Sequence, residues 1–280
     1  MALMVMRKQF SFIKFLCLLL FLQACSSAIQ PNIDQLESVI ASKGVVAHRL
    51  KSMAEVPIDS YIDGVTTRLG TDETTGILKV LPDEEYRDAL SIVAKEMNYY
   101  PKEILLSDLD NVYFGGKIQT ARSQFTAGFF IPNKKDIYLF SMLSDNSNDD
   151  ALLILAETFH HELSSILMRS YRFDMIGFMA YNGTDFEYWH DEERILTSNH
   201  TSNYTSGLLW DEGLLRYYSQ TSPENDYNSY VEMIFTNPKL MSDNCSANER
   251  IKNKFVHVMS FYLKISPDFQ PVFDRINCVH

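Results

Sequence analysis

Between Pro82 and Pro101, apolar side chains recur at Tyr86, Ala89, Leu90, Val93 and Met97, the spacing of one helical face. Asp83, Glu84 and Glu85 fill the first turn, where the helix dipole favours carboxylates, and Asn98 with Pro101 closes the element. Beyond Pro101 the period shortens. Val112-Tyr113-Phe114 before two glycines, Phe125 to Ile131 before Pro132-Asn133, and Ile137 to Phe140 are β-branched and aromatic runs bounded by turn formers, so they predict strands, the last two joined as a hairpin. An acidic, Asn-rich loop from Ser144 to Asp150 then leads into a long helix over Asp149 to Tyr171, with Asp149 or Asp150 as its N-cap. Nearer the N-terminus the pattern is weaker: a short helix over Ile33 to Ser42 and a turn-rich loop from Gly64 to Gly76. Ser222-Pro223, followed by Glu224 and Asp226, starts a further helix in the C-terminal half.

The long helix carries the candidate chemistry. Leu152, Ala156, Phe159, Leu163, Ile166 and Leu167 make one core-facing stripe. Stepping ~100° per residue from Leu163 puts His161 and Ser165 side by side on the opposite face, with Ile154, Glu157 and Met168, as the expected floor of a cleft. His160 falls beside the packed stripe and reads as a structural histidine. The string Phe159-His160-His161-Glu162-Leu163-Ser164-Ser165 resembles a zinc-hydrolase helix with one ligand changed. Two imidazoles four residues apart point at one metal, and the intervening Glu acts as general base. His161 is the metal-ligand candidate and Glu162 the catalytic one, but position 165 is Ser, a weak zinc ligand beside imidazole, thiolate or carboxylate. Zn2+ is thus the expected cofactor only if other groups compensate. Replacing Ser165 by His is expected to raise zinc affinity.

The first twenty-five residues change the picture of where this happens. Arg7, Lys8 and Lys14 precede an apolar run from Phe15 to Leu22, the order of a secretory leader and too short for a membrane span. Leu22-Gln23-Ala24-Cys25 resembles the bacterial lipobox, in which Cys25 is the lipidation site and anchors the chain to a membrane. The expected organisation is a leader over 1–24, a tether and N-terminal docking segment over 25–55, and one domain over 56–280. Losing the leader takes the net charge from −11 to −14, which excludes nucleic acid as a partner. Cys245 and Cys278 then remain, as a disulfide or as two buried thiols.

The segment Tyr218-Ser219-Gln220-Thr221-Ser222-Pro223-Glu224-Asn225-Asp226 completes a second motif, an acidic helix start downstream of the His-Glu helix. With the lipobox and the Phe159 to Leu167 string, it resembles the substrate import-associated zinc metallohydrolase lipoproteins of Gram-negative outer-membrane nutrient-import loci, a zinc-binding metallopeptidase family. The resemblance covers about residues 80 to 240. It implies an α+β, zincin-like fold with a small mixed sheet, an active-site helix and a helical C-terminal half. It also implies attachment to the outer membrane on either side, a peptide or glycoconjugate substrate, and TonB-dependent receptors and glycan-binding lipoproteins as partners. The family's first His maps to His161, its base to Glu162 and its second His to Ser165. Its carboxylate ligand maps to Glu224, Asp226 or Glu232, with Asp226 preferred. His190, His200, Trp189, Trp210 and Tyr217, Tyr218, Tyr227 and Tyr230 read as rim or groove residues, or as core. Two functions follow: a zinc-dependent hydrolase, or a metal-free descendant that serves as a binding or assembly lipoprotein.

Overall fold

The computed structural model describes residues 30–56, 77–119, 127–131, 133–141, 148–189 and 209–278. The lipobox with Cys25, the 64–76 loop, His190 and His200 lie outside them. Asn32 caps the first helix, α1 (Ile33–Ala41), through a reciprocal box with Gln35, and Leu36 and Ile40 turn inward. The chain then enters β1 (Val46–Arg49), which pairs in parallel with β3 (Asn111–Gly115). The stretch expected to be a tether and docking segment up to residue 55 thus contributes a helix and an edge strand to the fold from Ile33 onward. The helix matches the one expected over Ile33 to Ser42, whereas the apolar pattern of the strand, four residues long, is too short to signal it.

The predicted helix after Pro82 is α2 (Asp83–Glu96), continued by a 3₁₀ turn over Met97–Tyr99. Pro101 begins a further short helix, α3 (Lys102–Asp108), because a proline that ends one helix suits the first turn of the next. A small two-stranded sheet joins β2 (Ile77–Leu78) to β4 (Ile118–Gln119). The expected hairpin is present: β5 (Gly128–Ile131) runs antiparallel to β6 (Asp136–Phe140). The main sheet has the order β1-β3-β6-β5, with β6 parallel to β3, so it is mixed, as expected.

Both faces of that sheet are covered. Val112, Phe114, Ile137, Leu139 and Phe130 face the large core with α2 and the central helix α4 (Asn148–Ser170). Leu50, Val56, Phe129, Ile131, Tyr138 and Phe140 form a second cluster. Across this second side runs a ladder of rings, one from each strand: His48, Tyr113, Tyr138 and Phe129, stacked at 4.6, 4.4 and 4.7 Å between centroids. Helix α4 starts one residue before Asp149, so Asp149 and Asp150 lie within its first turn instead of capping it.

The C-terminal half is helical: α5 (Met175–Met179), α6 (Pro223–Thr236), α7 (Pro238–Ala247), α8 (Glu249–Ile265) and α9 (Gln270–Phe273). Helix α6 begins as expected, with Ser222 accepting from the Asn225 amide and Pro223 in the first turn. It is buried from Asn225 to Phe235, so polar and apolar sides alike need partners. Cys245 and Cys278 are joined by a disulfide.

Candidate functional site

On α4 the core stripe falls where the periodicity puts it. Ala156, Phe159, Leu163, Ile166 and Leu167 are buried, while Leu152 is half-buried and Leu155 takes the inner place at that end. His160 is fully buried: Tyr100 donates to its Nδ1 at 2.8 Å and its Nε2 lies 3.0 Å from Glu96. Burial lowers its pKa, against the raising effect of Glu96. It is a packed, hydrogen-bonded histidine that ties α2 to α4.

The far face is not an open cleft. Helix α6 lies against it antiparallel, and Ser165 retains 1% of its surface. The two helices meet through polar residues spaced by four on each. Glu232 faces His161, Asn228 faces Ser164 and Ser165, and Glu224 faces Arg169 at 3.2 Å. Four-residue spacing keeps each set on one helical face, so the rows match at three levels, over about two turns.

At the first level of this seam, His161 Nδ1 donates to Glu232 Oε1 at 2.5 Å. Arg216, held in extended backbone just before the 3₁₀ turn Tyr217–Gln220, ion-pairs with the other Glu232 oxygen and lies 3.7 Å from Glu157. Glu162 is buried next to this group, against β5: a side chain at Gly128 would collide with Thr158 at 2.5 Å and approach Glu162 at 3.5 Å, so glycine lets the strand pass this close. Burial pulls the His161 pKa down. The hydrogen bond to Glu232 and the charges of Glu162 and Glu232 outweigh burial and the opposing Arg216, and carry it up to about 9. His161 is therefore an imidazolium at neutral pH, with its charge matched by carboxylates. At the second level, Ser164 Oγ donates to Asn228 Oδ1 at 2.6 Å, and Asn228 Nδ2 donates to Ser165 Oγ at 2.8 Å.

The three carboxylates that could have served as the later ligand are thereby separated. Asp226, the preferred one, points to another side of α6. It lies 2.5 Å from Lys254 Nζ and accepts from the Tyr188 hydroxyl at 2.6 Å, with Lys254 also over the Phe178 ring. Both members of this pair are fully buried; burial raises the Asp226 pKa and lowers that of Lys254. The structure brings His161 and Glu162 together with Glu232, and not with Asp226. Six residues of helix separate the two acids by more than a full turn and a half, which puts them on different faces. Of the candidate groove aromatics, Tyr227 and Tyr230 are fully buried core, while the Tyr218 ring lies 6.1 Å from that of His161.

Arg216 and Asn228 are the site residues that the motif reading missed. A lone charge inside Leu214-Leu215-Arg216-Tyr217-Tyr218 was the signal for the first, and the four-residue interval between Glu224, Asn228 and Glu232 for the second.

As a zinc site the donor set does not fit. It offers one imidazole, already hydrogen-bonded to the one suitable carboxylate, and a hydroxyl held by an amide, with a guanidinium among them. Zinc hydrolysis takes three imidazole, thiolate or carboxylate donors plus water. Among the described residues, no group of three or more His, Cys, Asp or Glu side chains is disposed to hold a metal.

No protein-family model matches the chain, and no curated protein does. One solved structure resembles it. This is a "putative zinc-binding metallo-peptidase" from Bacteroides caccae, 14% identical, aligned over 86% of this chain and 88% of its own with a TM-score of 0.47.

Proposed function

We propose that this chain is a metal-free relative of zinc metallohydrolases that binds a partner or substrate instead of cleaving it. It does so as a lipoprotein anchored through Cys25 to the outer membrane of a Gram-negative cell envelope, in an import complex with a TonB-dependent receptor and glycan-binding lipoproteins. One observation carries the metal-free part: Ser165, at the position of the second histidine, is buried and accepts a hydrogen bond from Asn228 at 2.8 Å, so the ligand row is closed by an amide–hydroxyl contact between helices. Support for the envelope comes from the leader ending in Leu22-Gln23-Ala24-Cys25 and from the Cys245–Cys278 disulfide, a bond that persists in oxidising compartments. Among the described residues, no helix is long and apolar enough to cross a membrane. The partners rest on the resemblance of the two motifs.

A specific feature favours the second reading, a zinc-dependent peptidase or related hydrolase: Glu162 keeps the base's place next to His161, and Glu232 supplies a carboxylate from the later helix. Metal analysis of protein purified without a metal-affinity tag, followed by zinc titration, separates the two. The expected result is substoichiometric metal and weak, non-saturating binding. Stoichiometric tight zinc returns the assignment to the hydrolase.

A further inference from the structure

The metal-free reading leaves a physical question at the first level of the seam. Arg216 lies there between Glu232 and Glu157, beside a single imidazole, and Glu232 retains 2% of its surface. Buried carboxylates without a cation are not tolerated: the charge is paired, or the group takes up a proton. In a metallohydrolase the metal supplies that cation. Here the chain does.

We infer that the guanidinium of Arg216 is the resident replacement for the metal, neutralising Glu232 and Glu157 and excluding a divalent ion from the space next to His161. This inference rests on the metal-free reading. Three observations carry it. Arg216 meets the Glu232 oxygen that His161 does not use, so the carboxylate is shared between imidazole and guanidinium as it would be between a ligand and a cation. The same side chain reaches across to Glu157, one helical turn before His161 on α4, and so ties both helices at the level where a metal would. Arg216 is itself buried, with 8% of its surface left, which fixes the charge inside the seam. Both carboxylates are met through one nitrogen, Nη2, and arginine suits the task because it keeps its proton at any accessible pH. A divalent cation placed within a few ångströms of it would meet a fixed like charge away from bulk water, and would be repelled.

The consequence corrects the expectation drawn from the sequence that Ser165→His raises zinc affinity: with Arg216 in place, restoring the missing histidine is not enough. Ser165→His alone should bind zinc no better than the wild type, whereas Ser165→His combined with Arg216→Met should bind it about tenfold or more tightly than the single variant. Ser165→His with Arg216→Lys, which retains the charge, should stay as weak as Ser165→His. Competition against a chromogenic chelator measures all three, with circular dichroism to check folding. Equal zinc affinity for Ser165→His and the Met double variant overturns the inference, and so does tight binding by the Lys variant. If the Met double variant does not fold alone, refolding with and without zinc decides: recovery only with zinc supports the exchange of cation for cation, and no recovery overturns it. Stoichiometric zinc in the wild type would instead sink the metal-free reading itself, so the two failures are distinguishable.

Discussion

His161 owes its charge to its neighbours. Isolated imidazoles titrate near pH 6.5, yet this one is held protonated up to about 9 by the carboxylates of Glu232 and Glu162, against burial and Arg216. A pKa raised on folding means that the folded state binds the proton more tightly than the unfolded chain. The stabilisation is therefore fully present below about pH 6.5 and is lost as the pH rises through about 9, with a magnitude of roughly 3 kcal/mol. Urea unfolding at about pH 6 and about pH 10 should show this loss in the wild type, and His161→Gln should flatten it. Equal losses in both proteins would place the pH sensitivity elsewhere. The identity of His161 and Glu162 as the polar centre of the helix was legible in the sequence, because a two-residue motif and a face count need only local information. Their partners were not. Asp226 and Glu232 both lie on the acidic helix, and only the rotation of α6 about its axis, fixed by packing on every side, decides that Glu232 meets His161 while Asp226 meets Lys254.

Helices α4 and α6 form a contact whose two rows are complementary in hydrogen bonding instead of in apolar shape. Asn228 is its hinge point: its amide satisfies Ser164 as acceptor and Ser165 as donor, using both ends of one side chain. Asn228→Leu would leave the buried Ser165 hydroxyl without its amide partner and should cost about 1–3 kcal/mol. Adding Ser164→Ala and Ser165→Ala should recover most of that, since removing all partners together is cheap. Guanidinium-chloride unfolding of the single and triple variants checks this; a triple variant weaker than Asn228→Leu would show that the seam depends on some other contact. The periodicity of α4 foretold which residues turn away from the hydrophobic stripe, and it was right about His161 and Ser165. It could not say what covers them. A polar helical face reads the same whether it meets water or a second polar face, so an expected cleft became an interhelical seam.

The molecule as a whole is tied at its C-terminal end by the Cys245–Cys278 bond, which links α7 to the last described residue across 33 positions of sequence. Closing a loop of that length removes freedom from the unfolded chain, and the loss of the bond through Cys278→Ser is expected to cost about 2–4 kcal/mol. Thermal melting with and without reductant should separate the wild type from the variant, and identical melting temperatures would mean that the two ends are held by packing alone. At this scale the α+β class and the β5–β6 hairpin could be read in advance, because turn residues bracket aromatic runs. The parallel pairing of β1 with β3 could not, since it joins strands more than sixty residues apart and no local signal encodes such a partnership. The parallel pairing of β3 with β6 leaves an optical consequence. Tyr113 and Tyr138 lie cofacial, 5° from parallel, between His48 and Phe129. Their electronic transitions couple as in a stacked dimer, and the near-ultraviolet dichroism of the protein therefore reports strand alignment. A slip of β3 by one residue would turn Tyr113 to the opposite face and extinguish that band, with the far-ultraviolet signature of the helices untouched.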